Sequence, residues 1–218
     1  DAKGYLIAIY PESSRTYHLT FNKCTFSHLK SNSNGGGGIG LWFNKDENSY
    51  NILEFKETKF DNVFSTHNSF GGGAISINSE NTNKRTELRV NDCNFTDISS
   101  SNGYGGAIYY FPRQSDSFCS INVRGCRFER TFSTFSEGNG HAIFIGSTIS
   151  TTNSISYCTF VDCCNELENK YAIYLSVRKI EITYTTITFS DSTKNHACIY
   201  SNSVIEHTYK HNIFHNAK

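Results

Sequence analysis

Gly105-Gly106-Ala107-Ile108-Tyr109-Tyr110 is the phrase that decides the fold, because the chain says it again and again. Close copies are Gly72-Gly73-Ala74-Ile75-Ser76-Ile77, Gly140-His141-Ala142-Ile143-Phe144-Ile145 and Lys170-Tyr171-Ala172-Ile173-Tyr174-Leu175. Weaker ones are Gly37-Gly38-Ile39-Gly40-Leu41, Asn195-His196-Ala197-Cys198-Ile199-Tyr200 and Gly4-Tyr5-Leu6-Ile7-Ala8-Ile9. A second phrase alternates with the first: Cys24-Thr25-Phe26, Cys93-Asn94-Phe95, Cys126-Arg127-Phe128 and Cys158-Thr159-Phe160. Its degenerate copies are Thr58-Lys59-Phe60, Ile187-Thr188-Phe189 and Asn212-Ile213-Phe214. Phenylalanines at 26, 60, 95, 128, 160, 189 and 214 set steps that shrink from about 35 residues to 25. A repeat of this period built from short apolar segments is the mark of a solenoid.

Between the phrases the pattern is that of strands. Alternating apolar pairs precede each Cys-x-Phe: Leu19/Phe21, Leu53/Phe55, Leu88/Val90, Ile121/Val123 and Ile182/Tyr184. Period-2 alternation gives half-buried strands, not helices. Two-residue offsets such as Asn91-Asp92 and Arg124-Gly125 read as bends, and the glycines before Ala as corners with positive φ. Strands that recur at one period stack in parallel, each on its copy in the next rung. The predicted fold is a right-handed parallel β-helix, a β-solenoid of about seven coils, forming one domain over 1–218. Its interior carries a Phe column and an Ile column at 75, 108, 143 and 173.

The 218 residues have no net formal charge, which removes an electrostatic case for nucleic acid or an anionic membrane. No apolar stretch is long enough to span a bilayer as a helix. Methionine is absent, and the strand phrases reach almost to both ends; the reading is a piece of a longer chain or a stacked assembly. Four of the eight cysteines, Cys24, Cys93, Cys126 and Cys158, share one repeat position. Two readings stay open for them. They are small apolar fillers, or they pair with neighbours such as Cys93 with Cys126.

The Gly-Gly-Ala-Ile phrases at 72–75 and 105–108, alternating with a Phe-containing phrase, resemble the repeats of the chlamydial polymorphic membrane proteins. Related surface β-helix proteins of some protists share them. The second half differs: that family has Phe-x-x-Asn, and here the Asx falls one residue earlier, as in Phe95-Thr96-Asp97. The resemblance implies a secreted or surface-displayed adhesin module without enzymatic chemistry.

Three constellations bear on function. The column two after the Phe reads His28, Asn62, Asp97, Arg130, Asp162, Asp191, Asn216. As a turn column it holds bends through Asx side chains. As a site, Asp162 and Asp191 on adjacent rungs would stand about 5 Å apart and serve a glycosidase or calcium. The column two after the Ala contains Tyr109, Phe144, Tyr174 and Ile199; with the Ile columns inward it points out, as an aromatic stripe for a glycan or a protein, and the other readings are that a loop covers it or that it faces in. His207, His211 and His215 form a local cluster, with His207 in a core column rather than a metal set. Asn94-Phe95-Thr96 is the single N-glycosylation acceptor among more than 20 asparagines, a depletion that fits a secretory route.

The sequence therefore favours a secreted or cell-surface structural and adhesive module, extracellular, without cofactor or metal. It binds a glycan or surface protein and meets its own copies head to tail into filaments. The alternative is a polysaccharide lyase or glycosidase on the same scaffold, with Asp162 and Asp191 as its carboxylates.

Overall fold

The computed structural model describes residues 7–9, 16–31, 39–43, 50–66, 71–79, 85–101, 103–112, 119–134, 140–148, 153–164, 170–193, 196–202 and 206–216. All regular structure among them is β. The chain runs β1 (Ile7–Ile9), β2 (Tyr17–Asn22), β3 (Thr25–Ser31), β4 (Ile39–Phe43), β5 (Tyr50–Lys56), β6 (Lys59–Ser65) and β7 (Ile75–Ser79). It continues through β8 (Arg85–Asn91), β9 (Asn94–Ser100), β10 (Ile108–Pro112), β11 (Ser120–Arg124), β12 (Arg127–Ser133), β13 (Ile143–Thr148) and β14 (Asn153–Ser156). The last third is β15 (Thr159–Val161), β16 (Lys170–Val177), β17 (Lys179–Thr183), β18 (Thr186–Thr188), β19 (His196–Ser201), β20 (Glu206–Lys210) and β21 (Ile213–His215). Every third strand joins the same sheet, which gives three parallel sheets of seven strands each. Sheet 1 begins with β1, sheet 2 with β2 and sheet 3 with β3. This is the parallel β-solenoid that the repeats predict.

The core is a set of ladders of like on like. In sheet 3, register aligns Phe26, Phe60, Phe95, Phe128 and Phe160. Their rings stack with centroids 4.6–5.1 Å apart, close to the strand spacing. The next members are Ile187 and Phe214, each 27 residues on, and not Phe189. Phe189 is instead buried beside His196, with ring centroids 5.1 Å apart. The inward pair of β17 is likewise Ile180 and Ile182, not Ile182 and Tyr184. Backbone pairing fixes register, so Ile187 fills the column although a phenylalanine lies two residues away. Ile39, Ile75, Ile108, Ile143 and Ile173 form the fully aligned column of sheet 1.

Two columns of left-handed residues bend the coils, the second with no member in the sixth coil. Lys23, Glu57, Asp92, Gly125, Tyr157, Tyr184 and His211 stand between sheets 2 and 3 with φ of 46–65°. His28, Asn62, Asp97, Arg130, Asp162 and Asn216 break the sheet 3 strands at φ of 50–56°. The second is the predicted turn column, except that Asp191 is not in it. Between the two bends sits the cysteine column, which does more than fill space. Cys93, Cys126 and Cys158 donate Sγ–H to the carbonyls of Asn91, Arg124 and Ser156, each at 3.2 Å. Thr58 and Thr185 donate to the matching carbonyls at 2.9 and 3.1 Å. The position selects a small buried donor that closes the bend. All eight cysteines are free, so the filler reading holds and the disulfide reading does not.

The glycine phrase is a corner. Gly105 has φ of +66°, and a Cβ there would lie 2.2 Å from the carbonyl oxygen of Ile108. At Gly106 a Cβ would lie 2.1 Å from the carbonyl oxygen of His141, so one glycine serves the turn and the next the close approach of the neighbouring rung.

Candidate binding surfaces

The outward column of sheet 1 is Ser76, Tyr109, Phe144, Tyr174 and Tyr200. Successive rings from Tyr109 stack at 5.3, 5.1 and 5.1 Å. The expected exposed stripe is only partly exposed. Tyr109 and Phe144 retain 4% and 7% of their surface, while Tyr200 retains 37%. Tyr104 stacks on Phe144 at 4.9 Å, and Phe111, further along β10, packs against both Phe144 and Tyr109, so these two rings cover the upper column. Ile199 is not a member: it pairs with Ile173 in the inward column, half-buried against the core, and Tyr200 takes the outward place. The open part of the stripe is thus Tyr174 and Tyr200, with Tyr171 4.7 Å from the Tyr200 ring. Asn202 Nδ2 donates to the Tyr174 hydroxyl at 2.9 Å, and burial raises that phenol's pKa.

A second aromatic ladder lies on the bend between sheets 2 and 3. Tyr157 and Tyr184 stack at 4.8 Å with planes 4° apart, and Tyr184 stacks on His211 at 4.8 Å. Arg124 closes the other end, its guanidinium 5.3 Å from the Tyr157 centroid. The signal was present in Tyr157-Cys158 and in Tyr184-Thr185, but earlier coils carry Lys23, Glu57, Asp92 and Gly125 there, which hid the column.

The last coil, β19–β21, leaves its core residues open. Phe214 and Tyr209 are 47% and 45% exposed, whereas Phe128 and Val123 in the same columns are fully buried. Outward-facing Ile213 is 62% exposed. A cavity of about 440 Å³ lies here, lined by Cys198, Ile199, Ser201, Tyr209 and Phe214. Burial pushes the Cys198 thiol up to about 12, which keeps it protonated and unreactive.

Charged groups gather on the outer face of sheet 2. Glu54 is 6% exposed; burial opposes its ionisation, yet hydrogen bonds from Lys56 and His18 hold the carboxyl below its ordinary range. Glu87 is held down by Arg89, at 2.7 and 2.8 Å, and by the Tyr50 hydroxyl at 2.7 Å. His18, Thr20 and Glu54 have the composition of a nucleophile triad but not its geometry. His18 Nε2 lies 3.3 Å from Glu54 and 3.4 Å from Thr20 Oγ1, so one nitrogen faces both partners and the other faces neither. Both carboxylates stay ionised, so neither is a general acid near neutral pH.

Asp162 and Asp191 do not share a column, since the register of β15 with β18 sets Asp162 opposite Phe189. Asp162 accepts from Ser190 N and Oγ at 2.6 and 2.8 Å. Asp191 accepts from the backbone N–H and the hydroxyl of Thr193. Asp162 is thus spent on tying its bend to the next coil, and Asp191 on holding its own turn. Among the histidines, His207 Nε2 lies 2.9 Å from the Val177 carbonyl oxygen in a core column, His211 belongs to the corner ladder and His215 faces out. Among the described residues no group of three His, Cys, Asp or Glu side chains is placed to hold a metal. Asn94 is exposed on β9, open to a glycan. No described helix is long and apolar enough to cross a membrane. No family model, curated protein or solved structure matches the chain.

Proposed function

We propose that the chain is a secreted or cell-surface structural and adhesive module, its open coil continued by further coils of a longer chain or, head to tail, by its own copies, and presenting Tyr174 and Tyr200 to a glycan or protein partner. The observation that carries this is the open last coil. Core columns that are fully buried in the middle of the solenoid end on Tyr209, Ile199 and Phe214, beside a row of unpaired strand backbone. The same columns begin on Phe21, Ile7 and Phe26, each only partly buried against the core. A second copy would continue the Phe stack at its normal spacing, with Glu206 brought into the column of His18. A contact of that kind is heterologous and extends into a filament. The resemblance to surface β-helix repeats and the scarcity of N-glycosylation acceptors support the location.

Light scattering over a concentration series tests the reading. The native chain should gain mass with concentration, and Phe214→Asp should hold it at the mass of one chain. A single-chain mass for the native protein throughout would overturn the head-to-tail contact. A glycan and cell-surface binding panel, with Tyr200→Ala as control, tests the stripe separately.

A further inference from the structure

The corner ladder has a chemistry that neither the fold nor the adhesive reading requires. Its apex needs a left-handed residue; Asp92 and Gly125 supply that cheaply, and Lys23, Glu57 and His211 fill it in other coils. Tyr157 and Tyr184 hold φ of 54° and 51° there, an uncommon state for a bulky side chain. They are 54% and 49% exposed, so core packing does not explain them. Their rings face each other at 4.8 Å and 4°, on backbones held in register by β14 and β17.

We propose that Tyr157 and Tyr184 are a built site for oxidative cross-linking, coupling as dityrosine to tie one coil covalently to the next. One-electron oxidation of each phenol gives a phenoxyl radical, releasing one proton and one electron. The carbons ortho to the two oxygens then bond, and each ortho hydrogen moves to its oxygen as the rings regain aromaticity. The product has lost two hydrogen atoms. Hydrogen peroxide, working through a haem peroxidase, takes up the two electrons and two protons and becomes two waters. The reaction is favoured by two accessible phenols that need not diffuse together. The other tyrosine contacts fit it less well. Tyr171 and Tyr174 meet Tyr200 at 35° and 23°, Tyr200 is 37% exposed, and the Tyr174 hydroxyl is already bonded to Asn202. The cysteines are mostly buried, which keeps them from an oxidant at the surface.

The test treats the folded chain at low concentration with a haem peroxidase and limiting hydrogen peroxide, then maps tryptic peptides by mass. Cleavage places Tyr157 alone in the peptide 131–170 and Tyr184 alone in 180–194, away from Tyr171, Tyr174 and Tyr200. The expected result is a linked 131–170/180–194 pair, lighter by two hydrogens, in protein of single-chain mass. Tyr157→Phe and Tyr184→Phe keep the stack and should each abolish that product. Coupling that appears first among Tyr171, Tyr174 and Tyr200, or only between molecules, or that persists in Tyr157→Phe, would overturn the proposal.

Discussion

Phe128 and Phe214 occupy the same column, yet one sits mid-stack with no exposed surface and the other is 47% exposed in the last coil. The side chain, the strand and the inward direction are the same. What differs is the neighbour on the far side. In a solenoid a core residue is buried by the next repeat, so its worth depends on what stacks there.

The sharpest way to break the comparison is to truncate both. Phe128→Ala should cost about 3–5 kcal/mol, through lost burial and a cavity between Phe95 and Phe160. Phe214→Ala in an isolated chain should cost about 1–2 kcal/mol, since half of the ring is already in water. Chemical denaturation of both variants checks the ratio; equal losses would show that the last coil is covered as the middle is.

Next in size is Asn153, a polar residue in the column of Leu88, Ile121 and Ile180. It is fully buried, accepting from Ile121 N at 3.1 Å and donating to the Lys179 carbonyl at 2.9 Å. Asn153→Ala should cost about 1–3 kcal/mol, because the Ile121 N–H and the Lys179 carbonyl lose a partner away from water. A melting temperature unchanged by that variant would refute the assignment of this column to the interior.

The smallest effect belongs to the surface. Arg130 holds Asp97 through hydrogen bonds of 2.6 and 2.9 Å, and this sets the Asp97 carboxyl below its ordinary range. A depressed folded pKa contributes stability that is present above the unfolded value, about 3.9, and is lost as pH falls through the folded one. Both side chains are about half exposed, so the pair is worth about 1 kcal/mol or less. Asp97→Asn should cost about 1 kcal/mol or less at neutral pH and nothing in strong acid, so denaturation midpoints of variant and parent should converge as pH falls below about 4.

The first five coils were legible in the sequence because like residues fall in like places. The Phe column to Phe160, the Ile column, both bends and the glycine corner follow from spacing alone. The last two coils were misaligned because residue identity and backbone register part company there. Phe189 and Ala197 look like members of their columns, but hydrogen bonding selects Ile187 and Cys198, which shifts Tyr200 outward in place of Ile199. Of the aromatic stripe, direction was legible and exposure was not, since Tyr104 and Phe111, which flank the repeated phrase in one coil, pack over it. The corner ladder escaped notice because an apex shared with Lys, Glu, Asp and Gly shows no aromatic period.

The central claim is that the open end of the last coil is a seat for another rung. Hydrogen exchange on the native chain across a concentration series tests it most directly, read at the β19–β21 amides that point away from the preceding coil. The account predicts fast exchange when dilute and growing protection as concentration rises, with Phe214→Asp remaining fast throughout. Fast exchange of those amides at every concentration would contradict it.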